Sequence, residues 1–405
     1  MTPATPASGS GWSPWRTVVW FGLVSLAADM VYEGARSVYG PFLAGLGASA
    51  VLVGVVTGAG EGLALVVRLV AGPLADRTGA YWSLTFWGYA ATAVCVPLLA
   101  LAPGLGAAGL FVAVALIWAE RTAKAIRSPA KSALLAEAAG QVGMGKGIAV
   151  HKALDQLGAF AGPLVVAGAV AYLGGVEWGF AALAVPGALA IALLGVTRAR
   201  SGLTLPGPRP RGAAPHDRSR PEDEALPGEF MVFAAASAAI TVGLMTFGVI
   251  GYHLVTAGLV ATAVVPVIYA GAMAVEAVAA LLTGVLYDRI GAAVLLILPV
   301  LVALIPWLAL GPALGMVLAG IAIWGAATGI SDSTVKALVA DLVPRERLAT
   351  AYGVFAAVQG AAALLGGALA GWLYQDHRAL LVGLVGACQA LALLALVRVL
   401  RRERS

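Results

Sequence analysis

Apolar residues in this chain come in long stretches, without the strict alternation of a half-buried strand or the single stripe of a surface helix. Read as helices, the stretches fall at about 15–45, 48–74, 80–101, 106–127, 146–172 and 176–197, then at about 229–252, 258–285, 291–310, 312–334, 348–374 and 379–399. Crossing a bilayer takes about 20 apolar residues, and each stretch reaches that length or close to it. A backbone in lipid must satisfy its own hydrogen bonds, so such stretches fold as helices. The one long polar stretch, about 199–228, holds Pro206, Pro208, Pro210, Pro215, Pro221 and Pro227 among arginines and acids. It has no apolar face to bury and reads as a flexible linker. The pattern therefore predicts an all-α membrane protein of twelve transmembrane helices, with six-helix bundles at 1–198 and 229–405 joined by a linker at 199–228.

Composition strengthens this reading. Hydrophobic residues make up 60% of the chain and charged residues 11%, against about 25% charged in an ordinary soluble domain. So apolar a chain cannot cover a water-facing surface, and the bilayer is its solvent. The net charge of +5 does not imply nucleic acid, because the basic residues sit at the ends of apolar stretches, where they set topology. One side collects Arg16, Arg77, Lys131, Lys146, the linker arginines, Arg345, Arg347, Arg401, Arg402 and Arg404. The other holds little beyond Glu177, His253, Asp376 and Arg378. Both termini and the linker are expected in the cytoplasm. Residues Met1 to Trp12 lack the cationic start and short apolar core of a cleaved signal, so the first span is expected to stay. Cys95 and Cys388 both fall inside apolar stretches and suggest no disulfide, metal site or thiol nucleophile.

The two halves echo each other. Gly72-Pro-Leu-Ala-Asp76-Arg77-Thr-Gly79 follows the second span, and Gly284-Val-Leu-Tyr-Asp288-Arg289-Ile-Gly291 follows the eighth. Ala130 to Glu137 after the fourth span is matched by Val335 to Asp341 after the tenth. Matching motifs at matching places indicate duplication of a six-span unit, an architecture that sets a substrate site near the midplane between halves. These motifs resemble the major facilitator superfamily, whose cytoplasmic loop reads G-x-L-a-D-r-x-G followed by basic residues. Here Ala80 and Tyr81 stand in place of the basic pair. The resemblance implies a pseudo-symmetric two-bundle fold in the inner membrane, with Gly72, Asp76, Arg77, Gly79, Asp288 and Arg289 in a cytoplasmic loop gate. Gly158-Ala-Phe-Ala-Gly162-Pro163 resembles the antiporter motif G-x-x-x-G-P, without the double glycine that usually follows. Asp29 to Arg36, Glu120 to Pro129 and His151 to Gly158 resemble a narrower bacterial branch.

Charges inside the spans carry the candidate chemistry, because a charge in lipid costs about 2.5 kcal/mol or more unless it is paired, faces water or titrates. Asp29, Glu33 and Arg36 share one face of the first span, as a proton or substrate site or as a static ion pair. Glu61 and Arg68 share a face of the second. Glu120, Lys124 and Arg127 repeat the spacing of the first-span triad in the fourth, where Lys124 and Arg127 read as cations at a helix end. The resemblance implies that a fourth-span base, Arg121, helps couple protons or binds anions. His151 and Asp155 share a face of the fifth span, and Asp155 has a fourth-span base as an alternative partner. Glu276 and Asp332 are the main acids of the second half, and Glu276 reads as a cavity acid or half of a structural pair. Gly158 and Gly162 also fit simple close packing, and Trp15, Trp20, Trp82 and Trp178 read as interface anchors.

No zinc spacing, phosphate-cradling loop or catalytic arrangement is present, so neither an enzyme nor a cofactor or metal is expected. The leading expectation is a monomeric secondary transporter that exports a small, amphipathic organic compound in exchange for protons by alternating access. Proton-coupled uptake of an anionic metabolite is the second reading, and a membrane sensor that binds without transporting is the third.

Overall fold

The computed structural model describes residues 12–203, 226–343 and 347–402. Most of the linker, 204–225, lies outside the described residues, as do Arg345 and Arg404. Among the described residues the chain forms fifteen α-helices and no strand. Ten helical stretches are long and apolar enough to cross a membrane. Two of these, Tyr81–Gly140 and Thr262–Ala309, run to 60 and 48 residues. Each folds back at a short 3-10 segment, Leu99–Ala108 and Gly291–Leu296, so the chain makes twelve passes.

In the first half, pass one is α1 (Pro14–Arg36) with α2 (Tyr39–Gly45), followed by α3 (Ala50–Thr78), α4 (Tyr81–Leu98), α5 (Gly109–Gly140) and α6 (Met144–Leu173). Pass six is α7 (Val176–Ala182) with α8 (Ala184–Ser201). The second half repeats the order as α9 (Gly228–Leu244) with α10 (Phe247–Thr256), α11 (Val265–Ile290), α12 (Ile297–Ala309), α13 (Leu314–Leu342), α14 (Leu348–Tyr374) and α15 (Arg378–Arg402). An even number of passes leaves both chain ends on one face, here the terminal face.

Two local features depart from the pattern reading. The stretch read as one helix over 15–45 is broken at Ser37 and Val38, and its counterpart in the second half is broken at Met245 and Thr246. Met245 has a φ of 54°, the one positive value among described non-glycine residues, a conformation that costs a side chain about 1–3 kcal/mol. Its carbonyl accepts a 3.2 Å hydrogen bond from Trp324 Nε1, which holds the break in place. The fourth pass also continues through Pro129 to Gly140 rather than ending near 127. Lys124 and Arg127 therefore lie inside a helix, which corrects their reading as cations at a helix end.

The halves meet away from the terminal face. Gly40 abuts the backbone of Gly248 and Tyr252. Along α3 and α14, Gly54 and Gly58 lie on Gly367, Gly62 lies on Gly360, and Gly371 lies on Ala50, with no room for a Cβ between the backbones at Gly54, Gly58 or Gly371. Small residues allow this approach of two membrane helices. The Thr57 and Thr246 hydroxyls add a 2.6 Å link between the halves. All these contacts lie in the stretch of each helix remote from the chain ends, so the molecule is closed on the opposite face and open on the terminal one.

Candidate functional site

Between the halves lies a cavity of about 440 Å³. The first half lines it with Asp29, Glu33, Arg36, Glu61, Arg68, Lys124, Lys152 and Asp155, and the second with Glu276 and Asp332 beside Trp324 and Phe355. Six of the seven expected cavity residues thus line one space, and Arg121 stands directly behind its wall.

The first-half charges form a connected network. Arg36 reaches Glu33 at 3.6 Å and Glu61 at 3.1 Å. Arg121, 1% exposed, reaches the same Glu61 oxygen at 3.3 Å and donates to the Tyr32 hydroxyl. Lys124 Nζ sits 2.8 Å from the centre of the Tyr32 ring, over its face. A cation favours that position because the ring face carries negative charge. Arg127 is buried, donates a 2.6 Å hydrogen bond to Thr92 and stacks over Tyr89. Cations this deep in a helix bundle are held by such partners.

Nearer the terminal face, Asp155 accepts from Lys152 at 2.9 Å and stands beside the carboxyl of Asp29. Asp155 makes its ion pair with Lys152 on its own helix, and Lys131 of α5 stands near enough to act on it as well. His151 turns from Asp155 to Ser25 Oγ, 2.9 Å away, and Lys131 donates to the same oxygen at 3.0 Å.

The second-half wall is different. Glu276 has no ion pair among the described residues. Gly329 rests on the backbone of Glu276 and Ala280, so α11 and α13 touch there. Asp332, about one turn further along α13, opens into the same part of the cavity. Two direct polar bonds cross between the halves here. Tyr269 donates a 2.5 Å hydrogen bond to Glu33 Oε2, and Gln156 Nε2 donates to the Met273 carbonyl at 3.3 Å.

The remaining expected residues lie elsewhere. Gly158 and Gly162 press on the α1 backbone at Leu26 and Met30, with Pro163 buried beside them. This contact holds α1 against α6, with Asp29 beside Asp155. Gly79 ends α3 with a φ of 64°, and Gly291 ends α11 with the same φ. Asp76, Arg77, Asp288 and Arg289 are exposed at the terminal face. Tyr81 donates a 2.8 Å hydrogen bond to Asp76 from the place where the family motif has a base. Val335 to Asp341 lies within α13, where Leu338 and Val339 are buried and the other side chains of the stretch lie outside the described residues. Gly72 lies two turns before the end of α3, facing Pro129.

Pattern reading missed Tyr32 and Trp324 as wall residues and Tyr269 as the partner of Glu33. The available signal was the polar tip on each ring, which needs a partner once it is buried in an apolar span.

Comparison with known proteins agrees with this architecture. The model of the Major Facilitator Superfamily matches residues 230–405. Uncharacterised proteins of Mycobacterium tuberculosis and Mycobacterium bovis are 48% identical over 385 residues, covering 94% of this chain and 92% of each relative. A peptide transporter POT mutant in complex with alafosfalin shares the fold with a TM-score of 0.74 at 16% identity, over 99% of this chain and 96% of its own. The nucleoside transporter NupG does so with a TM-score of 0.70 at 13% identity, over 95% and 99%, and a D-xylose-proton symporter with 0.67 at 16% identity, over 94% and 96%. With twelve passes in two matching halves around a central cavity, the chain belongs to the major facilitator superfamily, a superfamily of secondary membrane transporters.

Proposed function

We propose that this protein is a proton-coupled secondary transporter that exports a small amphipathic cation by alternating access. The observation that carries the reading is the charged cavity between the halves, open to one face and closed to the other. Rocking residues 1–198 against 229–405, across the 199–228 linker, would expose the same cavity to the opposite face. The arginines of the terminal face support placing that face in the cytoplasm of a bacterial inner membrane, and the open cavity then loads from inside. The exposed Asp76, Arg77, Asp288 and Arg289 would form the gate that meets when this face closes.

Charge distribution supports a cationic substrate. Glu276 and Asp332 are the charged residues of the second-half wall, and the aromatic Trp324 and Phe355 beside them suit an organic cation. The acidic wall disfavours uptake of an anion. The Asp29–Asp155 pair supports proton coupling, because two carboxyls in contact cannot both be ionised at low cost. Glu33 supports it too, as the acid that bonds across the halves. Gly158, Gly162 and Pro163 would keep the first-half wall rigid and sealed during exchange.

Solved structures of this fold include a proton symporter, so coupling direction needs its own measurement. The test is proteoliposomes enclosing a pH-sensitive dye, challenged with pooled lipophilic cations or pooled organic anions. Cation-triggered proton flux, abolished by Glu33→Gln, is the expected result. Flux with anions alone would overturn the cation reading. Cation uptake down an inward proton gradient in right-side-out vesicles would overturn export. A pooled cation that binds without any flux would favour a sensor.

A further inference from the structure

The fourth span carries Glu120 and Arg121 side by side, and neighbours on a helix point about 100° apart. Arg121 faces the cavity wall through Glu61 and Tyr32. Glu120 faces away, is 1% exposed, and neither of its oxygens accepts a hydrogen bond. The cation contact it makes is Arg121 Nε at 3.8 Å, beyond hydrogen-bond length. That Nε has no hydrogen-bond partner either, nor does the Tyr39 hydroxyl, whose ring centre lies 5.8 Å from the Arg121 guanidinium carbon. A buried carboxylate without a close cation is strongly unfavourable. One guanidinium thus stands between two acids. Glu61 faces the cavity and is shared with Arg36, whereas Glu120 is sealed in protein.

We propose that Glu120 is a reserve partner for Arg121, which turns from Glu61 to Glu120 when the charge on Glu61 is neutralised. Neutralisation comes from a proton out of the cavity water, forming an O–H bond on Glu61, or from a cationic group of the substrate pairing with it. The guanidinium keeps its charge and its protons throughout, and only its partner changes. Around Glu61 stand Arg36 on α1, Arg68 on α3, and Arg121 and Lys124 on α5. Around Glu120 stand Tyr39 on α2, Cys95 on α4, and Arg121 and Lys124 on α5.

The movement has a direction. Tyr39 opens α2 and precedes Gly40, which touches the second half at Gly248 and Tyr252. A guanidinium drawn to Glu120 leaves the cavity wall and alters the packing beside that contact, so an event in the cavity reaches the closed face. This consequence rests on the transport reading, whereas the exchange of partners does not. Glu120 touches neither cavity nor substrate and is a positioning residue.

The test is a double-mutant cycle on melting temperature with the purified full-length protein. Glu61→Gln alone is tolerated because Glu120 takes the cation, and Glu120→Gln alone because Glu61 keeps it. The double variant, which strips Arg121 of both acids, melts below the sum of the single shifts by roughly 5 °C, and Glu120→Asp in its place recovers at least half. Additive shifts would overturn the proposal. If Glu120→Gln does not purify, Glu120→Met, which also removes the carboxylate, completes the cycle.

A second readout separates switching from support. Spin labels at Ser83→Cys and Ala293→Cys, in a Cys95→Ser and Cys388→Ser background, report the gap between halves at the terminal face. Glu61→Gln is expected to raise the short-distance population several-fold, and adding Glu120→Gln to abolish the rise. A rise that survives the second substitution would also overturn the proposal. Absence of flux in proteoliposomes, with the thermal cycle intact, would reject the transport reading and leave the exchange standing.

Discussion

The two walls of the cavity are built from the same six-span unit, yet they hold charge in opposite ways. In the first half several mid-span charges are tied to one another: Arg36 to Glu33 and Glu61, Arg121 to Glu61 and more distantly to Glu120, and Asp155 to Lys152. In the second half Glu276 stands without an ion pair among the described residues. A closed network resists change at any one member, whereas an unpaired acid is available to an incoming cation. On the proposed reading, one half would serve internal exchange and the other the reception of a cation.

Four substitutions would break or sharpen this contrast. Arg121→Leu should have the largest effect, about 3–5 kcal/mol, because it removes the buried cation that Glu61 and Glu120 share. Loss of the folded peak in size-exclusion chromatography, regained when Glu120→Gln is added, would mark the first-half network as interdependent. Tyr269→Phe removes the hydroxyl bond from the second half to Glu33. A bond to a charged group is worth about 1.5–3 kcal/mol, so spin-label distances should shift toward opening of the opposite face by tenfold or more. Glu276→Gln should weaken binding of a lipophilic cation about tenfold, near 1.4 kcal/mol, with melting temperature almost unchanged. A large thermal loss there would mean that the second wall is a hidden network as well. Lys152→Ala should be the mildest. The Lys152 side chain is 67% exposed, and exposed ion pairs contribute about 0–1 kcal/mol, so a thermal scan should move by no more than a few degrees.

How much of this was legible follows from what each feature depends on. The passes could be read because lipid demands long apolar stretches, and the repeat because Gly72 to Gly79 and Gly284 to Gly291 mark equivalent turns. The grouping of Asp29, Glu33, Arg36 and Glu61 followed from helix periodicity and the penalty on charge in lipid. The breaks at Ser37 and at Met245 left no such trace, since neither pair of break residues contains the proline or glycine that usually marks one. The length of the fourth pass was misread because Lys124 and Arg127 look like an end, while the burial that accommodates them comes from Tyr32, Tyr89 and Thr92 on other helices. Orientation is the other hidden quantity. Glu120 and Arg121 are adjacent in sequence, and nothing in the chain says which one meets the cavity.

The contact between α3 and α14 carries a further consequence. Its glycines at 54, 58, 360, 367 and 371 bring backbone to backbone, so bringing those surfaces together immobilises almost no rotamers. Ordering a long side chain consumes about 1–2 kcal/mol of conformational entropy, and a glycine has none to lose. Such a surface gains little from staying shut and forfeits little on parting, so on the proposed transport cycle its closed and parted arrangements would be close in free energy. A seam of leucines would hold more firmly and cycle more slowly. The bareness of this one suits a joint that must be remade at every turnover.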